Sequence, residues 1–382
     1  MTTGRGLGQD YLSLREKIAL ISWPFLILIT LVACAGFLCL YSAGGGSFEP
    51  WAGKQIARFV LGMAGVVAVA LVDIRTWMRL AYPIYAVCVL LLVYVDIRGH
   101  IGMGAQRWIN LGFLQLQPSE TMKIASILAL ARFFHSHTLE DIRRPVSLLM
   151  PLGLIGLPTV LVLAQPDLGT AITIILGGAA LLFLAGVSYW VFIAGGAAFL
   201  ALLPVAWHFL YDYQKRRVFV FLDPESDPLG AGYHIAQSKI AIGSGGLFGK
   251  GFLEGTQSRL DFLPEKQTDF IFTLFSEEWG LTGGLALMTA FSLVIAYGYF
   301  TALNCQSQFA RLLSLGIVVN FFIYAFINMG MVMGLLPVVG VPLPMISYGG
   351  TAMLSVLFGF GLLLSARVHR DVKFSRGGLY VA

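Results

Sequence analysis

Ten separate apolar stretches, each close to the length of a bilayer crossing, constrain this 382-residue chain more than any other feature. They lie near 18–41, 54–72, 79–96, 118–134, 146–164, 169–186, 188–210, 269–301, 312–336 and 350–367. A spanning helix needs about 20 mostly apolar residues, and each stretch supplies roughly that. Composition agrees: 57% of the residues are hydrophobic and 12% charged, where a soluble protein has about a quarter charged. The chain reads as an all-α polytopic membrane protein with about ten transmembrane helices. One integral-membrane domain covers 1–382, with no internal repeat, low-complexity tract or separate soluble unit.

Charge placement sets the expected topology. The first apolar run is too long for a signal-peptide core and lacks a small-residue cleavage site, so it reads as the first anchor. An even number of spans puts both termini on one side. Arg15, Lys17, Arg75, Arg79, Arg132, Arg143, Arg144, Arg367, Arg370, Lys373 and Arg376 all fall on that side, which the positive-inside bias makes cytoplasmic. The pI near 9.0 then reflects topology and anionic lipid headgroups, with no call for nucleic acid. Cys34, Cys39, Cys88 and Cys305 sit in or beside expected helices without metal-ligand spacing, and the histidines share no spacing, so neither a disulfide framework nor a metal site is expected.

The loops carry the polar chemistry. A glycine turn at 44–47 and a segment at 97–117 are expected outside, the latter holding Gln106-Arg107-Trp108; a mixed-charge loop at 132–145 lies inside. A large external loop, 211–268, joins helices 7 and 8, and its length marks it as functional or disordered. Its many apolar residues argue against disorder. It is expected to fold back on the external membrane face, with 233–242 as an interfacial helix whose polar side is Gln237, Ser238 and Lys239.

Within these loops and span ends, Asp269 stands where a polar loop gives way to the eighth apolar stretch. A carboxylate at that border can meet a water-soluble sugar and a lipid-held leaving group together. The plainer reading is that Thr268 or Asp269 caps a helix starting at Phe270. Glu277 and Glu278 lie deeper, where the protonated or paired state is favoured, so they make poor bases. Glu120 and Lys123, three apart on the fourth span, can pair, either as a structural ion pair or as the wall of a polar cavity reached by Arg107. Lys215, Arg216, Arg217, Lys239, Lys250, Arg259 and Lys266 form the basic set of the large loop. The run Gly243 to Gly251 fails as a Walker A motif and reads as tight turns, or as a backbone nest near a diphosphate. Gln165-Pro166-Asp167, Asn328 and Ser347-Tyr348 read as mainly structural.

Several motifs recur together: Ala105-Gln106-Arg107-Trp108, Gln117-Pro118-Ser119-Glu120 with Lys123, and Gln165-Pro166-Asp167-Leu168-Gly169-Thr170. Further along stand Leu222-Asp223-Pro224-Glu225-Ser226-Asp227-Pro228, Gly255-Thr256-Gln257-Ser258 and Phe262-Leu263-Pro264-Glu265. Asn328-Met329-Gly330-Met331, Gly340-Val341-Pro342-Leu343-Pro344 and Ser347-Tyr348-Gly349-Gly350 complete the set. Through these the chain closely resembles the SEDS family (shape, elongation, division and sporulation), in its RodA-type elongation branch, related to FtsW. The resemblance implies a peptidoglycan glycosyltransferase that polymerises lipid II on the outer face of the cytoplasmic (inner) membrane during cell elongation and cell-shape maintenance. The Asp that the family requires falls on Asp269; Gln267 departs from the His commonly found before the Thr-Asp pair.

The chemistry implied is inverting transfer from a lipid-diphosphate donor to a β-1,4 glycan. One base, Asp269, takes the proton of the acceptor 4-hydroxyl, while cations stabilise the leaving diphosphate. Arg107 and Lys123, then Arg217 and Lys239, are the expected cations, with Glu120 holding Lys123. A divalent cation is compatible with diphosphate binding, though no ligand cluster compels one. The expected partners are a class B penicillin-binding protein supplying transpeptidase activity, other elongation-complex membrane proteins, lipid-linked glycan and membrane lipids. The competing functions are a lipid II flippase and a non-catalytic scaffold of the elongation machinery.

Overall fold

The computed structural model describes residues 12–102, 105–110, 112, 115–142, 144–209, 212–223, 230–259 and 265–373. Helices α1 (Leu14–Leu20), α2 (Trp23–Ala43), α3 (Ala52–Leu71) and α4 (Ile74–Arg98) lead to strands β1 (His100–Gly102), β2 (Ala105–Asn110) and β3 (Gln115–Leu116). Then follow α5 (Pro118–Ser136), α6 (Leu139–Ile142), α7 (Leu149–Ala164), α8 (Leu168–Leu184), α9 (Tyr189–Phe209), α10 (Asp212–Leu222), α11 (Ala231–Ser244) and α12 (Thr256–Arg259). The chain closes with α13 (Ile271–Asn304), α14 (Gln308–Val332) and α15 (Gly350–Val368).

Each of the ten apolar stretches coincides with a helix: α2 to α5, α7 to α9 and α13 to α15. Among the described residues, seven helices are long and apolar enough to cross a membrane. Of the other three, α5 carries Glu120, Lys123 and Arg132, and α8 and the described apolar run of α9 are shorter. The first span begins at Trp23 rather than near 18. Ser13 caps α1 in a capping box with Glu16, the backbone turns extended at Ile21, and Pro24 starts α2.

Burial sorts the helices. α5, α14 and α15 form the centre, whereas α3 and α4 show most of their surface outward. Helices meet closely where a side chain is missing. Beside Gly361 of α15 lies Val69 of α3, and beside Gly298 of α13 lies Val318 of α14, each too close for an added Cβ. The 97–117 segment forms a small antiparallel sheet, with Ile101 opposite Gln106 and Asn110 opposite Gln115.

Two passages of non-helical backbone run through the bundle. The first is a break in α13 at Gly280 (φ 63°, ψ −162°). The glycine-rich loop lies alongside and replaces the lost helical partners. Lys250 N–H donates to Glu277 C=O (3.0 Å) and Gly251 N–H to Glu278 C=O (3.1 Å). In return Leu281 N–H donates to Gly246 C=O and Thr282 N–H to Leu247 C=O, both at 3.0 Å. Without these bonds, each freed group in apolar surroundings would cost several kcal/mol. The approach is so close that a Cβ on Gly249 would collide with the Glu278 carbonyl, and one on Gly280 with the Gly249 amide. The N–H groups of Gly249, Lys250 and Gly251 are thereby occupied, which favours the turn reading of this run over a diphosphate nest.

The second passage is the connector 333–349 between α14 and α15, which is buried over 343–347. Gly36 of α2 and Gly169 of α8 let it pass: a Cβ on Gly36 would sit 2.8 Å from the Met345 carbonyl, and one on Gly169 would strike the Val339 carbonyl. Helix α11 also departs from a purely interfacial role. Ser238, expected on its polar side, is fully buried; its hydroxyl donates to Val332 C=O (2.7 Å) and so accepts from Thr273 Oγ1 (2.7 Å).

Gly280→Ala should lower stability in detergent by about 2 kcal/mol or more, since left-handed backbone and collision add. Gly243→Ala, within α11 and with open space around it, should change stability by no more than about 1 kcal/mol, and in the favourable direction. Thermal unfolding followed by size-exclusion chromatography distinguishes the two.

Candidate active site

A cavity of about 550 Å³ opens where the N-terminal ends of α5 and α8, the turn before α13 and the connector 333–349 converge. Its wall carries four carboxylates (Glu120, Asp167, Glu265 and Asp269) and two guanidinium groups (Arg58 and Arg107). Trp108, Tyr324 and Tyr348 supply aromatic surface, and Gly340-Val341-Pro342 forms one side.

Asp269 lies in the turn 265–270, one residue before the helix cap. The cap position of α13 belongs to Phe270, which makes no side-chain cap bond, and the helix begins at Ile271. Asp269 is therefore not the capping residue, and neither is Thr268, whose hydroxyl bonds to Glu265 Oε2 (3.0 Å). The half-buried Asp269 side chain lines the cavity beside Gly340, where φ is 75° and an added Cβ would lie 3.4 Å from Asp269 Oδ2.

Glu120 and Lys123 are both 4% exposed and pair at 2.6 Å. Tyr324 of α14 completes the group: its hydroxyl donates to Glu120 Oε1 (3.1 Å), and the Lys123 ammonium sits 4.0 Å from its ring centroid. Two charges this deep persist only because each has such partners. Glu120 and Tyr324 line the cavity; Lys123 does not.

Arg107 projects from β2 across the gap between α7 and α8. Nε donates to Gln165 C=O (3.0 Å), Nη2 donates to Pro166 C=O, and Nη1 lies 3.9 Å from Asp167. It thus satisfies carbonyls at the end of α7 while keeping 29% of its side chain exposed. Asp167 caps α8, accepting from Thr170 N–H (3.1 Å), Thr170 Oγ1 (2.9 Å) and Gln117 Nε2 (3.2 Å).

Arg58 is the cavity residue that sequence reasoning passed over. It reaches in from α3 with its guanidinium carbon 5.1 Å from the Tyr348 ring centroid, and its buried Nη1 has no hydrogen-bond partner in the protein. The signal was present: a charge inside an apolar stretch, the same cost that singles out Lys123.

Lys239 and Arg217 are the remaining expected cations. Lys239 is exposed on α11 and lies against Gly334 at the C-terminal end of α14, outside the cavity. Arg217 is on α10, and its side chain lies outside the described residues, as do 224–229 and 260–264 of the motifs. Glu277, with no exposed surface, pairs with Lys250 at 2.7 Å and accepts from Thr256 Oγ1 and Gln257 N–H. Its neighbour Glu278 accepts from Ser42 of α2. Among the described residues, no group of three or more His, Cys, Asp or Glu could hold a metal ion.

Residues 21–372 match the family model described as FtsW/RodA/SpoVE, cell cycle protein. The chain is 45% identical over 361 residues to the peptidoglycan glycosyltransferase MrdB of Escherichia coli K12, covering 94% of this chain and 96% of that protein. It is similar in structure to the rod shape determining protein RodA of Thermus thermophilus, with a TM-score of 0.70 and 28% identity over 92% of this chain and 98% of the other. It is also similar to a chain of a peptidoglycan synthase complex that coordinates polymerization and crosslinking, with a TM-score of 0.80 and 31% identity over 92% and 98% of the two chains. With the family model matched across nearly its whole length, this polytopic membrane protein belongs to the FtsW/RodA/SpoVE family.

Proposed function

We propose that this chain is a peptidoglycan glycosyltransferase that polymerises lipid II into β-1,4-linked glycan strands, with Asp269 as its general base. The observation that carries the assignment of the base is the meeting of Asp269 with Arg58 and Arg107 in one cavity at the head of α13. Glu120 and Asp167 share that cavity, Glu120 paired with Lys123 and Tyr324 and Asp167 accepting from Thr170 and Gln117.

Asp269 takes the proton from the acceptor 4-hydroxyl as the oxygen bonds to the donor anomeric carbon from the face opposite the diphosphate. The bond from that carbon to the diphosphate oxygen breaks, and the configuration inverts. A diphosphate leaves as a stable anion and requires cations rather than a proton donor. Arg58, with an unpartnered buried nitrogen, is the first such cation, and the exposed part of Arg107 is the second. Lys123 acts at one remove, through Glu120.

The cavity sits at the N-terminal end of α5, whereas Arg132 lies near the C-terminal end of that helix and donates to Arg79 C=O. Arg79 and Arg132 belong to the basic set read as cytoplasmic, which supports placing the cavity externally and both termini inside. A class B penicillin-binding protein is the proposed transpeptidase partner. The similarity to a chain from a complex that couples polymerization with crosslinking supports it.

In polymerisation of labelled lipid II by purified protein with its partner, Asp269→Asn should lower the rate by about 10²- to 10⁴-fold, the usual contribution of a general base. Polymer at the wild-type rate would remove Asp269 from that role. Absence of polymer from the wild type, together with lipid II movement across vesicles, would favour a flippase. Arg58→Ala should lower kcat/KM by about 10²-fold and Arg58→Lys by less, because the lysine keeps the charge and loses the fork.

A further inference from the structure

Asn328 and Ser347 read from the sequence as structural, yet both reach the turn that carries Asp269. Three successive carbonyls of that turn accept hydrogen bonds from the α14–α15 side. Gln267 C=O accepts from Tyr348 N–H (2.8 Å), Thr268 C=O from Ser347 Oγ (2.7 Å) and Asp269 C=O from Asn328 Nδ2 (2.9 Å). We propose that Asn328 and Ser347 are positioning residues that set the direction of the Asp269 carboxylate, an inference that rests on Asp269 being the base.

The geometry of Asn328 is specific. Its Nδ2 also donates to Val341 C=O (2.8 Å), so one amide joins the Asp269 peptide to the Gly340–Val341 turn against which the carboxylate rests. Two carbonyl acceptors fix the amide orientation, since only the nitrogen can donate to both. Its Oδ1 is then buried without a hydrogen-bond partner in a residue with no exposed surface.

Ser347 is built in the same manner. Its Oγ accepts from Leu343 N–H (2.7 Å), which directs its hydrogen to Thr268, and its own carbonyl accepts from Gln55 Nε2 of α3 (3.0 Å). The turn is thereby tied to α3, α14 and the connector at once. Fixing the Thr268 and Asp269 carbonyls fixes the planes of the peptides after each residue, and with them the direction of the Asp269 Cα–Cβ bond. Displacing a reacting group by about 1 Å can cost about 10²-fold in rate.

The test compares Asn328→Asp, Ser347→Ala and Ser347→Thr with wild type and Asp269→Asn in lipid II polymerisation with the partner present. Thermal stability and lipid II dependence are measured for each. Asn328→Asp keeps the shape but cannot donate to both carbonyls. It should lower kcat by about tenfold or more, with KM for lipid II within about twofold. Ser347→Ala should lower kcat less, and Ser347→Thr, which retains a hydroxyl, should restore it. Wild-type kcat in folded Asn328→Asp or Ser347→Ala, while Asp269→Asn is inactive, overturns the positioning role and leaves the base intact. A loss seen only in KM, or one that follows falling stability and is not restored by Ser347→Thr, also overturns it. Should Asn328→Asp fail to fold, the two serine variants decide. An active Asp269→Asn removes the base assignment itself, whatever the other variants do.

Discussion

Backbone amides and carbonyls inside an apolar bundle must find partners within the protein, and this requirement governs the site. A continuous helix meets it alone, but a continuous helix offers no cavity. Here the backbone leaves regular helix both at the break in α13 and at the turn that precedes that helix, and each receives hydrogen bonds from elsewhere in the bundle. The Gly280 break borrows its bonds from the loop at 246–251. The turn before α13 borrows its bonds from Asn328, Ser347 and Tyr348. Asp269 belongs to the second of these, at the head of a short helical segment held at both ends.

The buried charges obey the same logic in electrostatic form. Removing one partner from a buried ion pair costs about 3–5 kcal/mol, because the other is left stranded. Glu120 with Lys123 and Tyr324, and Glu277 with Lys250, Thr256 and Gln257, are groups of this kind. The first ties α5 to α14, and the second ties α13 to the loop at 250–257. The guanidinium of Arg58 is of another kind: an aromatic ring lies beside it and its buried Nη1 has no hydrogen-bond partner.

Much of this was legible in the chain. The ten apolar stretches became ten helices because their lengths match the bilayer, and the deep Glu120–Lys123 spacing announced a pair. Local features blurred by continuous hydropathy were missed, such as the Ile21–Ser22 break before α2 and the short strands of 100–116. Arg58 was hidden because its stretch is apolar overall, whereas Lys239 drew notice as a loop cation and proved to lie by the end of α14. The hardest features were long-range. Asn328 and Ser347 are 59 and 79 residues from the carbonyls they bind, and no local spacing announces such a meeting. Their side chains looked structural because, taken singly, they are.

The break at Gly280 also divides α13 by its surroundings. Residues 271–278 are buried in protein, while Leu281, Leu285, Met288 and Leu293 are half exposed along the outer surface of the bundle. Below the break the helix is two-sided, with these residues outward and Leu287, Phe291 and Val294 packed inward. Above the break it is keyed to the glycine-rich loop by backbone hydrogen bonds. The break therefore divides α13 into a length enclosed by protein, with Asp269 at its head, and a length whose outer side is apolar surface of the bundle.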